Sequence, residues 1–97
     1  MTAQKLSDTE LQQALNGLPG WQIKEGKLYK EYKFKDFSTA LGWMVTVGIQ
    51  AETMGHHPEW FNVYSTVRVN LVTHDAGNAI SNLDVELAQK MEALFKS

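Results

Sequence analysis

Between Met54 and Glu59 the chain cannot remain helical, and this break orders the segments on either side of it. Gly55 can adopt positive φ without a Cβ penalty and suits the residue just past a helix C-terminus. Pro58 has no N–H to donate and stops a helix from continuing. Before the break, Phe37, Ala40, Leu41, Met44, Val45, Gly48, Ile49 and Ala51 recur at steps of three and four. That spacing predicts an amphipathic helix from Phe37 to Met54 with one broad buried face, N-capped by Asp36. Gly42 and Gly48 weaken it locally, so packing must hold it. After the break, Glu59 to Tyr64 and Thr66 to Thr73 are rich in aromatic and β-branched residues and read as a hairpin turning near Ser65. Val67, Val69 and Leu71 share one face of its second strand, with Arg68 and Asn70 opposite.

The flanking segments extend this pattern. Met1 to Lys5 reads as a loose arm. Ser7 with Glu10 three residues later has the form of a capping box, and Leu6 with Leu11 that of a hydrophobic staple, opening a helix that ends near Asn16 at Gly17, Pro19 and Gly20. Trp21 to Glu25 alternates apolar and polar, Gly26 turns the chain, and Lys27 to Phe34 forms the return strand. His74 to Ile80 is a loop. Ser81 with Asp84 resembles another cap, followed by a helix to about Lys96 with Leu83, Leu87, Met91 and Leu94 on one stripe. The order αββαββα implies an α+β fold, a four-stranded antiparallel sheet with helices packed on one face. With no repeat or dividing linker, residues 1–97 read as one domain.

Composition narrows the function. Hydrophobic residues make up 43% and charged residues 21%, an ordinary globular balance. A net charge of −2 gives no electrostatic reason to expect nucleic acid or an anionic membrane as partner. The absence of cysteine excludes disulfides and thiolate metal sites and fits a reducing cytoplasm. The polar start MTAQKLSDTE lacks the apolar core of a signal peptide, and no apolar run reaches membrane-spanning length, so a cytoplasmic protein is expected.

All three histidines cluster around the break: His56 and His57 leave one helix, and His74 leaves a strand. Histidine is the side chain whose ordinary pKa, about 6.5, lies in the physiological range. Taken singly, each reads first as a surface or satisfied core residue, Glu52 as solvated, and Asp84 as a favourable charge in a helix's first turn. Trp60, Phe61 and Tyr64 read first as core or interface. Convergence changes the weighting, because these element ends can meet at one rim. Zinc is the chemical rival. Adjacent histidines in extended backbone point to opposite sides, however, and no spacing such as HExxH is present, so no metal is expected. No serine stands in a nucleophile-elbow motif. Acid–base catalysis without a cofactor remains.

These residues resemble the pterin-4a-carbinolamine dehydratase family. Its pattern runs from an acidic residue through a His-His-Pro triplet and an aromatic to a further histidine and an aspartate. Here these are Glu52, His56-His57-Pro58, Tyr64, His74 and Asp84. The likeness extends through KDF (Lys35 to Phe37), QAE (Gln50 to Glu52), HHPEWFNVY, Thr73-His74 and Gly20-Trp21, covering about Ser7 to Phe95. The resemblance implies removal of water from a 4a-hydroxytetrahydropterin to give quinonoid dihydropterin, in recycling for an aromatic amino acid hydroxylase. It implies His56 and His74 as acid and base, His57 as a binding or charge-stabilising partner, and Glu52 and Asp84 as orienting groups. It also implies Trp21, His57, Pro58, Glu59 and Trp60 as substrate-binding residues, and a homodimer or homotetramer. The other class it leaves open is a non-catalytic binding or assembly module, or a transcriptional coactivator, on the same fold.

Overall fold

A computed structural model of the protein describes residues 2–96. Helix α1 (Asp8–Asn16) starts from the expected capping box: the Ser7 hydroxyl accepts the Glu10 N–H, and the Glu10 carboxylate accepts the Ser7 N–H. Strands β1 (Gln22–Lys24) and β2 (Lys27–Lys33) are joined by Glu25 and Gly26, both at positive φ, the geometry that matches the twist of a two-residue hairpin. Helix α2 (Phe37–Met54) has the predicted bounds, and the Asp36 side chain accepts the Thr39 N–H at 2.8 Å. Strands β3 (Glu59–Val63) and β4 (Thr66–Leu71) form the second hairpin, and α3 (Asn82–Lys96) closes the chain.

The sheet is antiparallel throughout, in the order β1-β2-β4-β3. Its centre therefore joins the two hairpins, with Leu28 opposite Leu71 and Tyr32 opposite Val67. Alternation sends Leu28, Tyr32, Val67, Val69 and Leu71 to one face, where Leu11 of α1, the inner side of α2, and Leu87 and Met91 of α3 complete one core. Glu31, Lys33 and Arg68 stay on the exposed opposite face. No helix among the described residues is long and apolar enough to cross a membrane.

Three expectations are corrected. The inner side of α2 is Ala40, Trp43, Val47 and Ala51, whereas Phe37, Leu41, Val45 and Ile49 are exposed, the last two at 56% and 60%. The helix is apolar around most of its girth, so spacing alone could not say which stripe faces the sheet. Strand β4 stops at Leu71 rather than Thr73, because Thr73 leaves the ladder to bridge Ala79. The arm is not loose from Thr2 to Lys5: Gln4 hydrogen-bonds Asn82, and Lys5 bridges Ser81. Met1 lies outside the described residues.

At Gly55 the backbone has φ 68°. A Cβ there would meet nothing within 4 Å, so substitution carries only the conformational cost of the left-handed region. Gly55→Ala should destabilise by about 1 kcal/mol, read as a lower urea midpoint at unchanged m-value. An unchanged midpoint would contradict the assignment.

Candidate functional site

The end of α2 sets the two adjacent histidines apart. The Gly55 N–H bonds to the Glu52 carbonyl at 3.0 Å and the His56 N–H to the Ala51 carbonyl at 3.1 Å, the pair of bonds that defines a Schellman motif. The chain leaves this motif extended, so successive side chains diverge. His56 turns inward and is buried, while His57 stays exposed.

Behind His56 lies Asp84, which is fully buried. His56 Nε2 and Asp84 Oδ1 are 2.6 Å apart. An ionised carboxylate only accepts, so Nε2 carries the proton and Nδ1 is the ring nitrogen not committed to Asp84. The second carboxylate oxygen, Oδ2, accepts from the Thr73 hydroxyl and from the Ser81 N–H, both at 2.8 Å. Thr73 has one hydroxyl proton and gives it to Asp84. In its 2.6 Å contact with Ser81, therefore, the Ser81 hydroxyl is the donor. Ser81 Oγ also accepts the Leu83 N–H at 3.1 Å, so the residues that cap α3 are the ones that fix Asp84. A carboxylate satisfied on both oxygens holds its imidazole in one tautomer and one orientation.

The other two histidines also have polar partners, but in solvent. His57 Nε2 lies 2.7 Å from Glu52 Oε1, both side chains exposed. His74 opens a 3₁₀ turn (His74–Ala76), with Nδ1 2.7 Å from Asn78 Oδ1 and Nε2 3.7 Å from Glu59 Oε2. Glu59 in turn accepts Lys27 Nζ at 2.6 Å. His56, His57 and His74, together with Val72, Thr73, Leu83 and the arm residues Thr2 and Ala3, line one cavity of about 750 Å³. That volume lies within the range of small-molecule sites. Among the described residues no three His, Asp or Glu side chains gather as a metal site.

The structure thus brings the three histidines to one cavity, with Asp84 and Glu52 each bonded to one of them. Glu59 reaches the edge through His74, while Pro58 and Trp60 do not line the cavity. Trp60 points to the core side of β3, 6.4 Å from the Trp43 ring, because the pleat places its neighbours Glu59 and Phe61 outward.

Trp21 does not line the cavity either. It is buried at 6% exposure, and its indole N–H donates to Glu92 Oε2 at 3.2 Å. Glu92 stands eight residues beyond Asp84, about 12 Å along the axis of α3. The same oxygen accepts Lys30 Nζ at 2.6 Å and the Tyr32 hydroxyl. Burial pushes the Glu92 carboxyl up, but the hydrogen bonds from Lys30, Tyr32 and Trp21 and the Lys30 charge outweigh it, and its pKa is lowered. Trp21 belongs to this structural cluster. Sequence reasoning passed over Thr73 and Asn78 as partners of the site. The dipeptide Thr73-His74 was the available signal, since a threonine closing a strand beside a histidine can turn inward.

The chain is similar to proteins of one family. Residues 4–94 match the family model described as Pterin 4 alpha carbinolamine dehydratase. A protein of Solibacter usitatus, provisionally named a pterin-4-alpha-carbinolamine dehydratase, is 50% identical over 90 residues, 93% of this chain and 94% of its own. One from Brucella ovis with the same provisional name is 44% identical over 96 residues, 97% of this chain and 98% of its own. The crystal structure of a transcriptional coactivator/pterin dehydratase from Brucella melitensis matches with a TM-score of 0.89 at 44% identity, over 94% of this chain and 98% of that one. With nearly its whole length matched, the chain belongs to the pterin-4a-carbinolamine dehydratase family.

Proposed function

We propose that the protein is a hydro-lyase that converts 4a-hydroxytetrahydropterin to quinonoid dihydropterin and water in the cytoplasm, recycling the pterin of an aromatic amino acid hydroxylase. The observation that carries this reading is the set of three imidazoles, from two separate segments, on one cavity of ligand size. In the reaction the C4a–O bond breaks as the hydroxyl takes up a proton and leaves as water. N5 gives up its proton, and the N–H electron pair becomes the second bond of C4a=N5. No cofactor is consumed. The step needs an acid at the hydroxyl and a base at N5, and His56 and His74 divide these roles. His57 binds the polar pterin edge, Asp84 orients His56 and Glu52 orients His57, each at hydrogen-bond distance. A binding module on the same fold has no need of a buried carboxylate aligned behind a cavity-lining histidine.

The test is rapid-mixing decay of a 4a-hydroxytetrahydropterin with purified protein, alongside metal analysis of the same sample. Acceleration over buffer by metal-free protein is the expected result. Decay at the buffer rate would overturn the proposal. The reading includes a homodimer or homotetramer, supported by the open edges of β1 and β3 and the exposed apolar stripe of α2. Val45→Glu with Ile49→Glu should lower the mass measured by light scattering if α2 joins the copies; an unchanged mass would place the contact elsewhere.

A further inference from the structure

The cavity has one wall that no catalytic role accounts for. Thr2 and Ala3 line it, although they stand more than fifty residues before the first histidine in the chain. They are held there chiefly through one residue, Asn82. Asn82 Oδ1 accepts the Gln4 N–H at 2.7 Å, Asn82 Nδ2 donates to the Thr2 carbonyl at 3.2 Å, and the Asn82 backbone N–H donates to the Gln4 carbonyl at 3.2 Å. The Leu6 N–H to the Ile80 carbonyl, at 3.1 Å, ties down the next stretch.

Asn82 is the first residue of α3, where an asparagine side chain commonly serves its own helix. Here it does not. Capping is done by Ser81, whose hydroxyl accepts the Leu83 N–H, and by Asp84, which accepts the Ser81 N–H. The Asn82 amide is turned entirely to the arm. Three consecutive residues thus carry three parts of one site: Asn82 clasps the arm, Leu83 lines the cavity, and Asp84 aligns His56.

We infer that Asn82 is a positioning residue that closes the N-terminal arm over the pterin cavity, so that Thr2 and Ala3 form a substrate-retaining wall. The inference rests on the dehydratase reading above. Thr2 and Ala3, the described arm residues on the cavity, carry no imidazole, carboxylate or amine to take the N5 proton, so their contribution belongs to binding and not to the chemical step. Releasing it should raise KM and leave kcat in place.

Two variants break the clasp from opposite sides. Asn82→Ala removes both amide contacts, and Gln4→Pro removes only the N–H that Asn82 accepts. Asn82→Asp keeps that acceptor and loses the donor to Thr2. Asn82→Ala and Gln4→Pro should each raise KM for 4a-hydroxytetrahydropterin, and Kd for an unreactive dihydropterin, by about 3- to 10-fold, the effect of losing one or two neutral hydrogen bonds. Their kcat should stay within about twofold, since no group that moves a proton is touched. Asn82→Asp should fall between Asn82→Ala and the unaltered protein. Amide exchange checks the cause: the Leu6 N–H should exchange faster in Asn82→Ala while the amides of β2 and β4 remain protected, with a fall in melting temperature of no more than about 10 °C. Faster exchange with unchanged KM and Kd would overturn the inference and leave the dehydratase reading intact. If the unaltered protein neither binds the dihydropterin nor accelerates the reaction, the dehydratase reading fails and takes this inference with it.

Discussion

Replacing His56 or His74 with alanine is expected to lower kcat for 4a-hydroxytetrahydropterin dehydration by about 10²–10⁴-fold, with a much smaller change in the Kd of an unreactive dihydropterin. The two rings reach the cavity by different routes. His56 is rigidly held, buried and backed by Asp84, which is itself satisfied by Thr73 and Ser81. His74 is exposed, with Asn78 on one ring nitrogen and Glu59 at 3.7 Å from the other. On the proposed mechanism, loss of either ring would remove one end of the proton transfer while leaving the other lining residues in place, so turnover should fall and affinity should largely persist. His57→Ala should show the opposite balance, a rise in KM larger than the fall in kcat. Full turnover in both His56→Ala and His74→Ala would show that the protons move through other groups.

The second large effect is on stability. Glu92→Ala should destabilise the fold by about 3–5 kcal/mol, because it leaves the Lys30 ammonium, the Tyr32 hydroxyl and the Trp21 indole N–H without their shared acceptor. The urea midpoint reads this directly, and a shift under about 1 kcal/mol would mean that water or another acceptor takes over. The protein that remains folded should retain its kcat, since the cluster lies about two turns of α3 from Asp84.

The same cluster predicts limits on both sides of the pH–stability curve. The Glu92 pKa is lowered on folding, so its contribution is present above the unfolded value of about 4.3 and is lost as pH falls through the folded value. The Tyr32 pKa is raised, first by burial and then by the hydrogen bond and charge of Glu92. Its contribution is therefore complete below the unfolded value of about 10 and is lost as pH rises beyond it. Stability should fall at both ends, and Tyr32→Phe should flatten the alkaline fall.

The bounds of α2 were legible because each end is written in a local rule: Asp36 caps Thr39, and Gly55 takes a left-handed turn. The histidines and Asp84 were legible for a related reason, since each sits where one element gives way to another. The buried stripe of α2 was not. Trp43 and Val47 compete with Leu41, Val45 and Ile49 for the core, and only the position of the sheet decides between them. The role of Trp21 was hidden too, because its partner Glu92 is 71 residues away and nothing near Trp21 in sequence reveals it. Asn82 reads as an ordinary helix start until the arm beside it is seen.

The seam between β2 and β4 has a kinetic consequence. Each hairpin needs only its own short turn and can zip up on the microsecond scale of about 1–10 μs. The central ladder pairs Leu28 with Leu71 across nearly half the chain, so it closes only when α2 has carried the second hairpin back to the first. Refolding is therefore expected to be paced by that long closure, and trimming the seam with Val69→Ala should lower the stopped-flow folding rate more than loosening either turn does.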